Sequence, residues 1–133
     1  MQALVTGATG FVGQALCLRL RAKGSAVRGL VREGRSAAQL QSAGVDIHQG
    51  GIADPNTIAD AARGCDVVFH CASESSPHAA PEALAWINVA GTENVLRAAR
   101  HVGVPGVVVL SCVDVSLSNR DRVHWKEDTV LSH

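Results

Sequence analysis

The chain has 133 residues with 12 basic and 12 acidic side chains, so its formal net charge is zero, and 47% of it is apolar. That describes one domain with room for a sizeable core and no electrostatic pull towards nucleic acid or an anionic membrane. No apolar run approaches a membrane span and no internal repeat or low-complexity tract breaks the pattern; with the chain opening directly on a strand, no secretory leader is expected.

Residues 2–6 read as a short buried strand, and the stretch Leu4–Gly13 carries it through a glycine-rich turn into a helix. Gly7, Gly10 and Gly13 stand three apart. In such a turn the first glycine lets the chain leave the strand sharply and the second lets backbone approach a pyrophosphate. The third lets the helix sit close on the sheet. The free N–H groups and the positive end of the helix dipole then favour an anion. A lone glycine pattern also fits a plain structural turn. The strand before it, the helix after it and the βαβ unit that follows favour a dinucleotide site on Gly7, Thr9, Gly10, Phe11, Val12 and Gly13. The helix is expected over Phe11–Lys23, with Val12, Leu16 and Leu20 on one face and Gly24 as its stop.

Ala26–Val31 is the second strand, and it ends at Arg32, 19 residues after Gly13. A carboxylate that would hold the ribose 2′-OH of NAD belongs about 20 residues beyond the motif. Such a group would repel a 2′-phosphate, whereas a guanidinium pairs with one bidentately. Arg32 therefore points to NADP(H), with Arg35 as a second contact; the alternative is an ordinary solvated arginine at a strand end. A short helix over Ser36–Ala43 closes at Gly44, and Val45–His48 is the third strand. Asp54-Pro55 starts the next helix as N-cap and N1 proline, and Gly64 ends it.

Asp66–Ala72 is the fourth strand with its exit, in which His70 reads as a half-buried strand histidine. The polar stretch Ser73–His78 opens as a loop at the C-terminal edge of the sheet, where ligands sit in open α/β folds. Pro81 begins a long helix, Glu82–Val102, in which Gly91 serves close packing of helix on sheet. Leu84, Trp86, Ile87, Val95, Leu96 and Val102 surround much of it, and a helix apolar on most sides must be buried. This predicts self-association or a bound partner through residues 82–102. Val107–Leu110 is a fully apolar fifth strand. The alternation predicts a doubly wound, Rossmann-like parallel sheet of five strands in order 3-2-1-4-5, helices on both faces, as one domain over 1–133. Residues 111–133 read mostly as loop, with Trp125 anchoring the tail and Glu127 and Asp128 as solvated carboxylates. Cys17, Cys65, Cys71 and Cys112 lack C-x-x-C spacing and the six histidines are scattered. The cysteines are read as small buried groups in a reducing, cytoplasmic compartment, with no metal site expected.

Thr6-Gly7-Ala8-Thr9-Gly10-Phe11-Val12-Gly13 resembles the Thr-Gly-x-x-Gly-Phe-x-Gly signature of the extended short-chain dehydrogenase/reductases. Val68-Phe69-His70-Cys71-Ala72 resembles that family's Val-Phe-His-x-Ala strand end, and Asn88–Leu96 matches its Asn-Val-x-Gly-Thr-x-Asn-Val-Leu pattern. The family includes nucleotide-sugar epimerases and dehydratases, 3β-hydroxysteroid dehydrogenase-like enzymes and dihydroflavonol reductase-like enzymes; the Val-Phe-His and Ser-Cys-Val-Asp-Val regions incline the likeness slightly towards the steroid branch. The resemblance implies an NADP(H) or NAD cofactor along the backbone of Cys71, Ala72 and Ser73, and an Asn88 that supports the active site. Relatives often carry Gly-Asp near the adenine ring; Gly50-Gly51 stands here, leaving Ile52 as an adenine contact or a plain core anchor.

The family's chemistry uses a serine that orients the reacting oxygen and a tyrosine whose pKa a nearby lysine lowers. Here the fifth strand runs into Ser111-Cys112, so that Cys112 takes the second serine's place and Ser111 is the remaining candidate. The sequence contains no tyrosine, and Arg122 stands four residues before Lys126. The resemblance thus covers the family's cofactor-binding part and is incomplete beyond it. The expectation is the N-terminal piece of a longer oxidoreductase or epimerase, without tyrosine-dependent catalysis as it stands. The alternative is a non-catalytic nucleotide-binding or regulatory module.

Overall fold

The computed structural model describes residues 1–76 and 78–112. Five strands form one parallel sheet: β1 (Gln2–Thr6), β2 (Ala26–Val31), β3 (Asp46–Gln49), β4 (Val67–His70) and β5 (Gly106–Val109). Their order is β3-β2-β1-β4-β5, as the alternation predicts. Thr6 at the end of β1 is level with Leu30 on one side and His70 on the other. The chain leaves β1 towards β2 and returns to its opposite edge as β4, which opens a crevice at the carboxyl ends of these strands.

Side-chain alternation along β1 feeds a core on each face of the sheet. Leu4 packs with Val68, Ile58 of α3 (Pro55–Ala62), and Val95, Ala98 and Ala99 of α5 (Gly91–His101). Val5 turns to the other face and packs with Val27, Cys17 of α1 (Phe11–Ala22) and Leu40 of α2 (Ala38–Ser42). Leu4, Val5, Ile58, Val68 and Val95 are fully buried. Burial of each such side chain stabilises the fold by about 1.5–3 kcal/mol. Arg28 of β2 joins the layers: its guanidinium donates to the carbonyl of Ala61 at 2.5 Å and to Asp46 at 2.9 Å. A cation at the last turn of α3 also suits the helix dipole.

The structure corrects four local expectations. On α1, Leu16 and Leu20 pack half-buried against the core as expected, but the fully buried positions are Gly13 and Cys17, and Val12 is exposed. The helix expected over residues 82–102 is three pieces: α4 (Pro81–Leu84), a π-helical segment Ala85–Ala90, and α5. A π segment inserts one residue per turn and so rotates the side chains that precede it relative to those that follow. Its apolar residues are only partly covered: Val95 is buried, whereas Trp86, Val89 and Leu96 are exposed. Cys17 and Cys65 are buried as expected, but Cys71 is half-buried and Cys112 exposed. Expectations for Arg122, Trp125, Lys126, Glu127 and Asp128 lie outside the described residues. Among the described residues, no helix is long and apolar enough to cross a membrane.

Candidate functional site

The carboxyl ends of β1, β2 and β4 open into a cleft of about 450 Å³. Its floor is the turn after β1. Gly7 has φ +66°, and a Cβ there would lie 2.7 Å from the Ala72 amide nitrogen. Only a residue without a side chain lets the turn pass this close to the β4 exit. The Gly10 N–H closes the turn on the Gly7 carbonyl at 2.9 Å. Gly13 is required by the same turn: its Cβ would collide with the Gly7 carbonyl oxygen, so the close approach is to the turn and not, as expected, to the sheet. Gly10 caps α1 with no side-chain hydrogen bond, which leaves the first-turn N–H groups to an anion.

Of the residues expected on the cofactor, the structure brings Gly7, Thr9, Gly10, Arg32, Arg35, Ile52, Cys71, Ala72 and Ser73 into one cleft. Phe11, Val12 and Gly13 do not line it, and Phe11 is 95% exposed. Ile52 is placed where the core-anchor role expects it and also faces the cleft. It lines the cleft and also packs on the α3–α5 core, where a Cβ on Gly91 would lie 2.5 Å from its Cδ1. Gly91 therefore serves contact with this loop and not packing on the sheet. The Asn94 side chain holds the same loop by donating to the Ile52 carbonyl at 3.1 Å. Burial pushes the Cys71 thiol up, and that of Cys17 up to about 12, so both remain protonated small groups at neutral pH.

Asn88 lies in the π segment and brackets Glu74 in the loop after β4. It accepts from the Glu74 N–H at 2.8 Å and donates to the Glu74 carbonyl at 2.9 Å. Ser111 is exposed beyond the end of β5 and does not line the cleft. His70 is not half-buried but 2% exposed, its ring between the hydroxyls of Thr6 and Thr92. Leu30, Gly50, Gly51, Ala53, Glu74 and Trp86 also line the cleft, as do Ile87 and Gly91, and sequence pattern alone marks none of them as a cofactor contact. The cue for Trp86 and Ile87 is their place just before Asn88, but it becomes readable only once the π segment is known. Among the described residues no cluster of His, Cys, Asp and Glu could hold a metal ion.

The NAD dependent epimerase/dehydratase family matches this chain over residues 3–127. The chain belongs to that family. Within this extended short-chain dehydrogenase/reductase group it is 36% identical over 127 residues to a 2-alkyl-3-oxoalkanoate reductase of Shewanella oneidensis, covering 96% of this chain and 32% of the relative. It is also 36% identical to 4-hydroxy-2-methyl-3-oxo-4-farnesyl-3,4-dihydroquinoline-1-oxide ketoreductase of Stigmatella aurantiaca, covering 98% of this chain and 39% of that one. A short-chain dehydrogenase/reductase superfamily protein of Agrobacterium tumefaciens, solved with bound NAD, superposes with a TM-score of 0.82 at 32% identity, over 99% of this chain and 39% of its own. The chain thus spans about a third to two fifths of the length of these epimerase/dehydratase relatives, and its sheet is the family's Rossmann-like dinucleotide-binding architecture.

Proposed function

We propose that this chain is the NADP(H)-binding part of an oxidoreductase acting at a carbonyl or alcohol carbon, or of an epimerase that uses transient hydride transfer. The observation that carries the cofactor choice is the pair Arg32 and Arg35, both lining the cleft beyond the end of β2. Two guanidinium groups there suit a 2′-phosphate, and NAD would gain no comparable contact from them. The Gly7 turn, which a single Cβ would block, fits a pyrophosphate laid over the first turn of α1. A bound dinucleotide would supply the hydride chemistry. This chain's own residues would hold its phosphates (Gly7, Thr9, Gly10), flank its adenine (Ile52) and line its path past β4 (Cys71, Ala72, Ser73). Reductase and ketoreductase activities of the relatives support carbonyl reduction as the parent reaction.

On this reading Asn88 positions the cleft's edge through Glu74, and Ser111, next to the Cys112 that takes the family serine's place, is the remaining candidate to orient a substrate oxygen. The chain lacks the tyrosine that would donate or take the proton, so it binds cofactor without turning over by that route. The test is titration of the 133-residue chain with NADPH and with NADH. Tighter binding of NADPH is expected, and Arg32→Glu should weaken NADPH by about tenfold or more while leaving NADH nearly unchanged. Equal loss for both dinucleotides overturns the NADP(H) preference, and no binding of either overturns the cofactor reading.

A further inference from the structure

Thr6 and His70 are the buried polar side chains of the described core, at 0% and 2% exposure. They belong to a single run of hydrogen bonds whose every proton can be assigned. The Thr92 hydroxyl donates to the Asn88 carbonyl at 2.7 Å, and a carbonyl can only accept. The Thr92 oxygen must then accept from His70 Nε2, 3.0 Å away, so Nε2 carries the ring proton. His70 Nδ1 is left as a bare acceptor and takes the Thr6 hydroxyl proton at 2.7 Å. The Thr6 oxygen in turn accepts from the Ala72 N–H at 3.4 Å. The opposite tautomer would strip the Asn88 carbonyl of its Thr92 partner and leave the Thr6 proton unplaced inside the core, where an unmade hydrogen bond is costly.

The run has a function because of where its ends lie. One end is Ala72, a residue that lines the cleft and whose amide nitrogen sits against Gly7. The other is Asn88, whose side chain clamps Glu74, also at the cleft. Three separate elements, β1, β4 and the π segment with α5, are thereby locked in one register beneath the cleft. We infer that Thr6, His70 and Thr92 are positioning residues for the dinucleotide: with His70 held as its neutral Nε2–H tautomer, they fix the Ala72 amide and the Asn88–Glu74 clamp in the arrangement that binds. This rests on the dinucleotide reading above, but the tautomer does not.

The test has two parts on the 133-residue chain. Nitrogen-15 spectra of the histidine rings, with the other five histidines assigned by single replacement with glutamine, report the His70 tautomer without any cofactor. A protonated Nε2 and bare Nδ1 at neutral pH are expected; the reverse, or a mixture of tautomers, overturns the assignment. Thr92→Val keeps the shape and removes the acceptor, while Thr92→Ser restores the hydroxyl. NADPH affinity should fall about three- to tenfold in Thr92→Val and return to within about twofold of wild type in Thr92→Ser, both measured below their melting temperatures. A Thr92→Val protein that melts earlier yet binds NADPH as wild type shows a purely structural network and overturns the positioning role. Failure of the wild-type chain to bind any dinucleotide instead removes the cofactor reading and the positioning role with it, leaving the tautomer result intact.

Discussion

One methyl group on Gly13 would strike the carbonyl oxygen of Gly7. The neighbour it strikes is backbone, so no side chain can swing away, and the turn itself must open. Gly13→Ala is expected to cost about 1–3 kcal/mol of stability, read from the urea midpoint, and to weaken dinucleotide binding. Residues of this kind are legible in the sequence because each constraint is local: a glycine at every third position after a strand is hard to account for except by a tight turn against a helix. Arg32 is legible for a similar reason, since its distance from the turn fixes it at the end of β2. Trp86 is not. It is 60% exposed and lines the cleft, yet in sequence it belongs to an apolar helix face turned towards an unknown partner. The extra residue of a π turn has no compositional mark, so helical periodicity places Trp86 on the wrong side.

Among the elements, strands and their order follow from alternation, and the start of α3 from Asp54 and Pro55. The Asp54 carboxylate accepts from the Thr57 hydroxyl at 2.5 Å and from the Asn56 N–H at 3.0 Å, and these bonds, the Thr57 one foremost, hold its pKa below the ordinary carboxylate value. Asp54→Ala should lower the melting temperature by about 4 °C at neutral pH. What the sequence hides is how β4 is tied to its neighbours. A histidine in an apolar strand is compatible with many partners, and Thr92 lies 22 residues away on another element. Burial holds the His70 pKa below its ordinary 6.5. The unfolded chain therefore takes up a proton as pH falls through about 6.5, while the folded ring resists until lower pH. The unfolded state binds more protons in that window, so stability is full above it and declines as the solution is acidified. Urea midpoints at pH 7 and pH 5.5 should show the decline, and His70→Gln should reduce it.

At the scale of the molecule, apolar surface remains uncovered on the edge strand and on the helix that precedes it. Val108, Val109 and Leu110 are about half exposed at the edge formed by β5, and Val89 and Leu96 are exposed on the neighbouring helix. The chain spans about a third to two fifths of these relatives' length, so a longer polypeptide would have more structure to lay against this surface. For the 133-residue chain, we expect a second copy to cover it through residues 82–102 and β5. Sedimentation at rising concentration should show a dimer or larger species, and Leu96→Glu should shift it towards monomer; a clean monomer at high concentration would count against a shared face. An apolar helix in need of cover is foreseeable because composition alone reveals that much. Which face needs it is not, since that depends on the rotation imposed by residues 85–90.

The central position of β1 also sets a timetable. Of the five strands described, the one made earliest is the middle of the sheet, paired on one side with β2 and on the other with β4. Thr6 meets His70 only when 64 further residues have been made. Until then β1 presents an open edge of unpaired backbone groups, ready to accept the wrong strand. The rate at which this domain becomes safe from misassembly is therefore set by synthesis and closure of that long loop rather than by its helices, which form locally and early. Pausing translation before Val67 should hold the nascent chain in a state that proteases cut readily, and that sensitivity should end only after α5 and β5 have also emerged to cover β4.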